Sequence, residues 1–505
     1  MKYLRKPGSI LLAAILLFQI AGGCAVGPNF KKPGAPEVDG YSNKPLVNPQ
    51  GAVGARGGKL QEFVPGMDIP AQWWTLFHSK ALNSLVESSI KSNPSIKAAQ
   101  DALLAARETK SAQVGAFWPQ ISGGYSATRG KTSTQISPVT STPALYYNLF
   151  TPQLDVTFVP DVFGLNWRNV ESLQAQAEMQ RYALEMTYIT LTANVVTAAI
   201  QEGALRGQVK ATEKMVEESK KMLVILRKQL AVGYAAGLDV AAQEAQLAQV
   251  AATLPPLMKQ LAQQRDLVAA LAGRFPSQEP AETFELSSLD LPRDLPVSLP
   301  SKLIQQRPDV RQAEANMHSA SALVGVAIAN RLPNFNLTGN LGTDAVNWGS
   351  QFASGTSFWT IGGAVTQPIF QGGMLMHKEH AARAAFKLAE DQYRSTVLTA
   401  FQNVADTLHA LEQDGPALKA ATDAERAARK SLDLTSHQFE VGYTNALALL
   451  NAEQTYQTAT INLVQAQANR FSDTAALFQA LGGGWWNRPE TAKNGEPNAD
   501  RARSL

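Results

Sequence analysis

One cysteine in 505 residues leaves no possibility of an internal disulfide, so packing and hydrogen bonds must hold the fold. Charge is scarce as well: 17% of residues are charged, the formal net charge is +3, and no run of Lys and Arg is interleaved with aromatics. That excludes a nucleic-acid groove as the purpose of the chain. The six histidines are scattered, and the Gly-x-Ser-x-Gly, His-Glu-x-x-His and phosphate-loop patterns are all missing, so catalysis has no support and no cofactor is expected. His377 and His380 come closest to a metal pair. Spaced i, i+3 on a predicted helix with no third ligand nearby, they read as a solvated face. What the chain does have is core material, with 45% hydrophobic residues and length enough for more than one domain.

The start of the chain reads as an export signal. Lys2, Arg5 and Lys6 precede an apolar stretch from Ile10 to Ile20 and the small residues Ala21-Gly22-Gly23. The apolar stretch is too short to span a bilayer. Cys24 follows directly, a position suited to acylation, so a lipoprotein carrying diacylglycerol and an N-acyl chain on Cys24 is expected. Residues 25 to about 65 are rich in Gly, Pro, Asn and Lys without apolar periodicity, which reads as an extended tether.

The rest of the chain repeats itself. Val232-Gly233-Tyr234 recurs as Val441-Gly442-Tyr443, a shift of 209 positions that also pairs Leu238 with Leu447 and Glu244 with Glu453. Asn93-Pro94 and Arg307-Pro308 are 214 apart, as are Trp118-Pro119 and Leu332-Pro333. Landmarks in one order at nearly one spacing argue for an internal duplication. The expected organisation is a signal peptide over 1–23, a lipidated tether over 24–65 and a first repeat over 66–275. A linker over 276–300, a second repeat over 301–486 and a flexible tail over 487–505 complete it.

Each half reads as a helix, two strands and a long helix pair. The first helix is expected from about Leu82 to Phe117, its counterpart from Pro308 to Leu332, with Pro119 and Pro333 following as stops. Phe335, Leu337, Gly339 and Leu341 alternate with Asn336, Thr338 and Asn340, a strand signature. A second strand is expected near Trp359 to Val365, and the first half has its own pair near Ile121–Arg129 and Leu149–Phe158. No proline interrupts the chain between Pro160 and Pro255. Val209, Val216, Leu223 and Leu230 keep a heptad there, and Val240, Leu247, Leu254, Leu261 and Val268 keep one in the return helix. A helix from about Asn166 to Ala231 would be on the order of 100 Å long. Pro255-Pro256 and Gly415-Pro416 are expected to kink or interrupt these helices. Four strands cannot close a membrane barrel alone, so subunits would have to share one.

Cys24, Trp73-Trp74, Arg307-Pro308-Asp309, Gln367-Pro368-Ile369-Phe370-Gln371-Gly372-Gly373, the paired Val-Gly-Tyr turns and Leu481-Gly-Gly-Gly-Trp485 together resemble the TolC family, specifically its NodT-type lipoprotein efflux factors. The resemblance implies an α+β membrane protein, a homotrimer whose twelve-stranded outer-membrane β-barrel continues into the periplasm as a tunnel of long helices. It implies an exit duct that passively conducts compounds delivered by an inner-membrane pump and a periplasmic adaptor protein. Outer-membrane lipid would be a further partner.

Carried onto this sequence, the resemblance puts Val232, Gly233, Tyr234, Val441, Gly442 and Tyr443 at the periplasmic helical tips as adaptor-docking residues. Gly and the following Asp239 or Asn445 also suit the plain task of ending one helix and capping the next. The family's acidic gate positions fall at Ala448 and Asn451 and its basic partner at Thr444, none of them charged, while Asp239 keeps one acid. A gate held mainly by hydrogen bonds and packing is therefore expected. Phe158-Val-Pro160-Asp-Val-Phe163-Gly164 departs from the family pattern before its Asp-x-Phe-Gly end. Pro160 reads as the last residue of its strand at the barrel rim, with Phe163 and Phe370 near the membrane interface. A protein-secretion (type I) exit duct and a periplasmic coiled-coil scaffold are the alternatives. A wide passive tunnel has no fitted pocket from which to read its cargo.

Overall fold

A computed structural model describes residues 25–52, 54–131 and 146–488. The leader, Cys24 and residues 489–505 lie outside the described residues. Among the described residues, eight α-helices follow in chain order: α1 Lys80–Ser92, α2 Pro94–Val114, α3 Leu165–Ala231, α4 Gly237–Leu271, α5 Pro300–Gln306, α6 Pro308–Ala329, α7 Met374–Glu440 and α8 Ala446–Ala480. The strands are β1 Glu62–Pro65, β2 Gln120–Lys131, β3 Tyr146–Phe158, β4 Asp294–Val297, β5 Asn334–Thr343 and β6 Ser357–Thr366.

The duplication is carried to the residue. The pair α3 and α4 has 67 and 35 residues, as does the pair α7 and α8, and all four boundaries shift by 209 positions (165 to 374, 231 to 440, 237 to 446, 271 to 480). The predicted first helix is in fact two. Pro94 bars Asn93 from helical backbone, and Asn93 sits extended between α1 and α2. Its Oδ1 accepts from the Ser95 N–H at 2.9 Å and its Nδ2 donates to the Leu271 carbonyl at 3.0 Å. Of the kink or interruption expected at the prolines, interruption does not occur: Pro255 and Pro256 lie within α4 and Pro416 within α7. A few lost backbone bonds are small against the packing of helices this long.

The chain divides into two compact units. The first, which among the described residues comprises 25–33, 102–131, 146–180 and 312–393, contains an antiparallel sheet in the order β2-β3-β5-β6. Its register sets Ile121 opposite Val156, Leu154 opposite Leu341, and Gly339 opposite Ile361. Pro160 is not the last strand residue, because β3 ends at Phe158. The segment after it turns, with the Val162 N–H on the Pro160 carbonyl at 3.0 Å. Asp161 then caps α3, its two carboxylate oxygens accepting from the Asn166 and Trp167 N–H groups at 3.0 and 2.8 Å. Phe163 packs on Phe335 with ring centroids 6.4 Å apart, and Phe370 is exposed.

The second unit, which among the described residues comprises 34–52, 54–101, 181–311 and 394–488, holds the larger core: Ile69, Trp73, Phe77, Leu82, Val196, Ile200, Phe471 and Phe478 are buried together. Trp73 stacks on Phe478 at 5.3 Å. Two sequence expectations change here. The stretch expected to be a loose tether ends in β1, which pairs in parallel with β4, Glu62 opposite Asp294 through Pro65 opposite Val297. The stretch 276–300, expected to be a linker, buries Phe284, Leu286, Leu289, Leu291 and Leu295 in the same core. Neither has a helical or alternating period to announce it. Arg470, fully buried, fastens the former tether by donating to the carbonyls of Gln50 at 3.1 Å and Lys59 at 2.7 Å and to Gln61 Oε1 at 3.2 Å.

Next to Arg470 lie two carboxyls, Asp414 of α7 and Asp473 of α8. Burial first, and then the charge of Asp473, push Asp414 up to about 7, against a smaller downward pull from Arg470. An acid raised in the folded state holds a proton that the unfolded chain releases near pH ~4. Its contribution to stability is therefore greatest below that pH and is lost as pH rises toward 7. Asp414→Asn should raise the apparent melting temperature at pH 8, and the gain should shrink steadily as pH is lowered to 4, followed by circular dichroism. A gain independent of pH would refute the assignment.

Candidate functional site

Both long hairpins turn in the same way. In the first, the Gly233 N–H donates to the Leu230 carbonyl at 3.0 Å and the Tyr234 N–H to the Gln229 carbonyl at 2.8 Å; in the second, Gly442 and Tyr443 bond Phe439 and Gln438 at 3.1 and 2.8 Å. This crossed pair of bonds needs left-handed backbone at the residue after the helix. Gly233 and Gly442 supply it with φ of 81° each. The turns thrust their neighbours outward: Tyr234 and Tyr443 are each 86% exposed, and Val232, Val441, Leu238 and Leu447 are exposed with them. A core would bury such side chains. All six residues singled out as docking candidates thus lie on two equivalent, apolar, outward turns.

Beneath them Leu226, Val240, Phe439, Ala446 and Leu449 form one buried apolar cluster with Met222 and Leu223. Helices of both repeats contribute, so the two turns rest on a shared base. The caps differ between copies. Asn445 caps α8, its Oδ1 accepting from the Ala448 N–H at 2.9 Å. The residue before α4 is Ala236, which has no side-chain acceptor; Asp239, three residues on, accepts the Ala236 N–H at 3.0 Å instead.

The gate candidates are therefore placed as follows. Asp239 and Ala448 occupy equivalent positions of the two copies, 209 apart, at the first turns of α4 and α8. Asn451 is exposed one helical turn further along α8, and Thr444 is half-buried in the second turn. Of the four positions only one carries charge, and its carboxylate already serves a backbone N–H. His377 and His380 stand edge to face at 6.2 Å, with no cluster of three metal-binding groups among the described residues.

One acid near the turns serves in the sequence only as a landmark of the duplication and is not singled out there as a site residue. Glu244 pairs in the open with Arg227 at 2.6 Å. Its counterpart Glu453 lacks that cation, since Ser436 stands where the repeat would need an arginine. Glu453 instead accepts from Gln243 Nε2 and Ser219 Oγ, both at 3.4 Å. It lines a cavity of about 100 Å³ with Glu218, Asp433, Met222 and Val250. Burial is the main reason its carboxyl is raised, the Glu218 charge adds to this, and the hydrogen bonds from Gln243 and Ser219 oppose it. The duplication offset, read for broken charge pairs, would have found it.

Two measurements follow from this geometry. Asn445→Ala should cost about 1 kcal/mol at the start of α8, read as faster hydrogen exchange at Ala448 with α4 unchanged. In an infrared titration, the difference between wild type and Glu453→Gln should show a protonated carboxyl persisting to higher pH than an ordinary glutamate at about 4.3. A midpoint at that ordinary value would contradict the burial argument.

The likenesses to known proteins cover nearly the whole chain. Residues 85–274 and 299–483 match the family described as outer membrane efflux protein. The toluene efflux pump outer membrane protein TtgC of Pseudomonas putida is 26% identical over 486 residues, 95% of this chain and 96% of TtgC. Outer membrane protein OprJ of Pseudomonas aeruginosa is 28% identical over 497 residues, 95% and 97% of the two chains. Among solved structures, the outer-membrane channel OprN is similar with a TM-score of 0.82 and 26% identity, covering 92% of this chain and all of that one. The CmeC outer membrane channel of Campylobacter jejuni shares the fold, with a TM-score of 0.82 at 22% identity over 93% of this chain and 97% of its own.

Proposed function

Since the chain belongs to the outer membrane efflux protein family, we propose that three copies of it close one barrel and form a passive exit duct fed by an inner-membrane pump through a periplasmic adaptor. It is an outer-membrane exit duct of an efflux system, as the relatives and similar channels are.

The observation that carries the reading is the two-faced sheet. Tracing the register across all four strands puts Ile121, Tyr125, Phe150, Leu154, Val156, Leu337, Leu341, Trp359, Ile361 and Val365 on one face. The other face holds Ser122, Ser126, Thr128, Thr151, Gln153, Asp155, Thr157, Asn336, Thr338, Asn340 and Thr360. The apolar face is bare, Ile361 being 80% exposed and Trp359 72%, which fits lipid and not water. The polar face bonds within itself, with Asn340 Nδ2 donating to Asp155 at 2.6 Å and Gln153 to the same carboxylate at 3.1 Å. Strands of 10 to 13 residues meet the length that a tilted transmembrane strand needs. Among the described residues neither β2 nor β6 has a second partner within the sheet. Two open edges in lipid would leave backbone groups unbonded. Three copies give twelve strands and none.

The two apolar turns are read as the adaptor-docking tips, with Asp239 and Asn451 near a gate in which packing outweighs charge. Cys24, acylated, is read as an added anchor in the outer membrane.

Purified protein reconstituted in planar bilayers should show a small, mostly closed single-channel conductance. Asp239→Ala should raise the open fraction and Asn451→Asp should make gating depend on salt. Trimer-sized protein, verified by its altered migration after heating, that yields no channels would overturn the duct.

A further inference from the structure

The residues after Cys24 are docked on the strand-bearing unit. Arg168, in the first turn of α3, is 2% exposed, and its guanidinium is engaged on both sides. Nε donates to the Val26 carbonyl at 3.0 Å, and Nη2 to Asn29 Oδ1 at 2.8 Å and to the carbonyls of Ala25 and Gly27 at 3.4 Å. Nη1 donates to Glu171 Oε2 at 2.7 Å. Burial acts to raise the Glu171 carboxyl, but the hydrogen bonds of His318 and Arg168 outweigh it and hold the group below its ordinary range. The buried cation is thus balanced by a charged partner.

The backbone fits as closely as the side chains. The Val26 N–H donates to the Phe163 carbonyl at 3.1 Å. A Cβ on Gly27 would come within 2.5 Å of Gly325 Cα, one on Gly164 within 2.6 Å of Ala25, and one on Gly325 within 2.9 Å of the Val26 carbonyl and Arg168. Gly164 and Gly325 therefore keep open a groove that any larger residue would fill, and Gly27 lets the docked segment lie close in it. Further on, Phe30 stacks on His318 at 4.4 Å and Lys32 pairs with Glu314 at 3.3 Å. All of these residues lie in the first unit.

We propose that this groove is a receptor for the start of the mature chain, with Arg168 as its positioning residue, so that the acyl chains of Cys24 enter the bilayer at one fixed point beside the junction of β3 and α3. The proposal rests on the acylation reading given above. Cys24 is one peptide unit from Ala25, about 3.8 Å between Cα atoms, so seating Ala25 seats the anchor. On a free tether of some forty residues the anchor would range over about 35 Å. Seated, it enters the membrane together with the strand sheet as one body.

Trypsin tests this on the folded full-length protein in detergent. It can cut after the exposed Lys31, while the bond from Lys32 to Pro33 resists it. Cleavage after Lys31 should be at least tenfold slower in wild type than in Arg168→Gln or in Gly27→Val, the second of which alters only the docked segment and leaves the body intact. Equal rates in wild type and Gly27→Val overturn the proposal. The mass of the N-terminal peptide, recovered after denaturation, is a separate readout. A protected segment whose Cys24 carries no acyl mass leaves the seat standing and removes the anchor reading.

Discussion

Backbone amides in a bilayer have no water to turn to, and that constraint shapes this chain more than any other. Each protomer supplies a sheet of four strands, bonded to one another but, among the described residues, open at β2 and β6. A peptide edge left in hydrocarbon is costly enough to forbid a lone sheet, so the chain is chemically complete only as part of a closed ring. The alternation of side chains obeys the same logic, with one face for lipid and the other for a wet interior.

Duplication supplies symmetry, and the departures from it are informative. The two turns are matched to within a tenth of an ångström in their hydrogen bonds, yet the acid of the first, Asp239, meets Ala448 in the second. The exposed ion pair of Glu244 and Arg227 becomes a half-buried Glu453 facing amide and hydroxyl groups. A ring built from such chains alternates two kinds of helix pair, and its electrostatics repeat three times, not six.

Much of this was legible in the sequence because it is periodic or punctuated. Alternation announced β5 and β6, heptads announced the long helices, and glycine marked both turns. What escaped was non-local. Arg470 and Gln61 meet across 409 positions and Arg168 and Val26 across 142, and no spacing rule connects them. Irregular stretches such as 276–300 gave no period to detect although they fill the core. Pro255 and Pro416 show the opposite case: the helices run through them without a break, a local rule that ends short helices yielding to the packing of long ones.

The equal lengths of the long helices limit how this protein can change. Deleting one residue from α3 alone would draw its turn back by about 1.5 Å and rotate every later side chain by about 100°, while α7 kept its register. Leu226 and Phe439 would then no longer meet in the cluster they share. Insertions and deletions in these helices are tolerable only in matched pairs, one in each repeat, and best in whole heptads. Loops can drift in length, but the long hairpins must be edited twice or not at all.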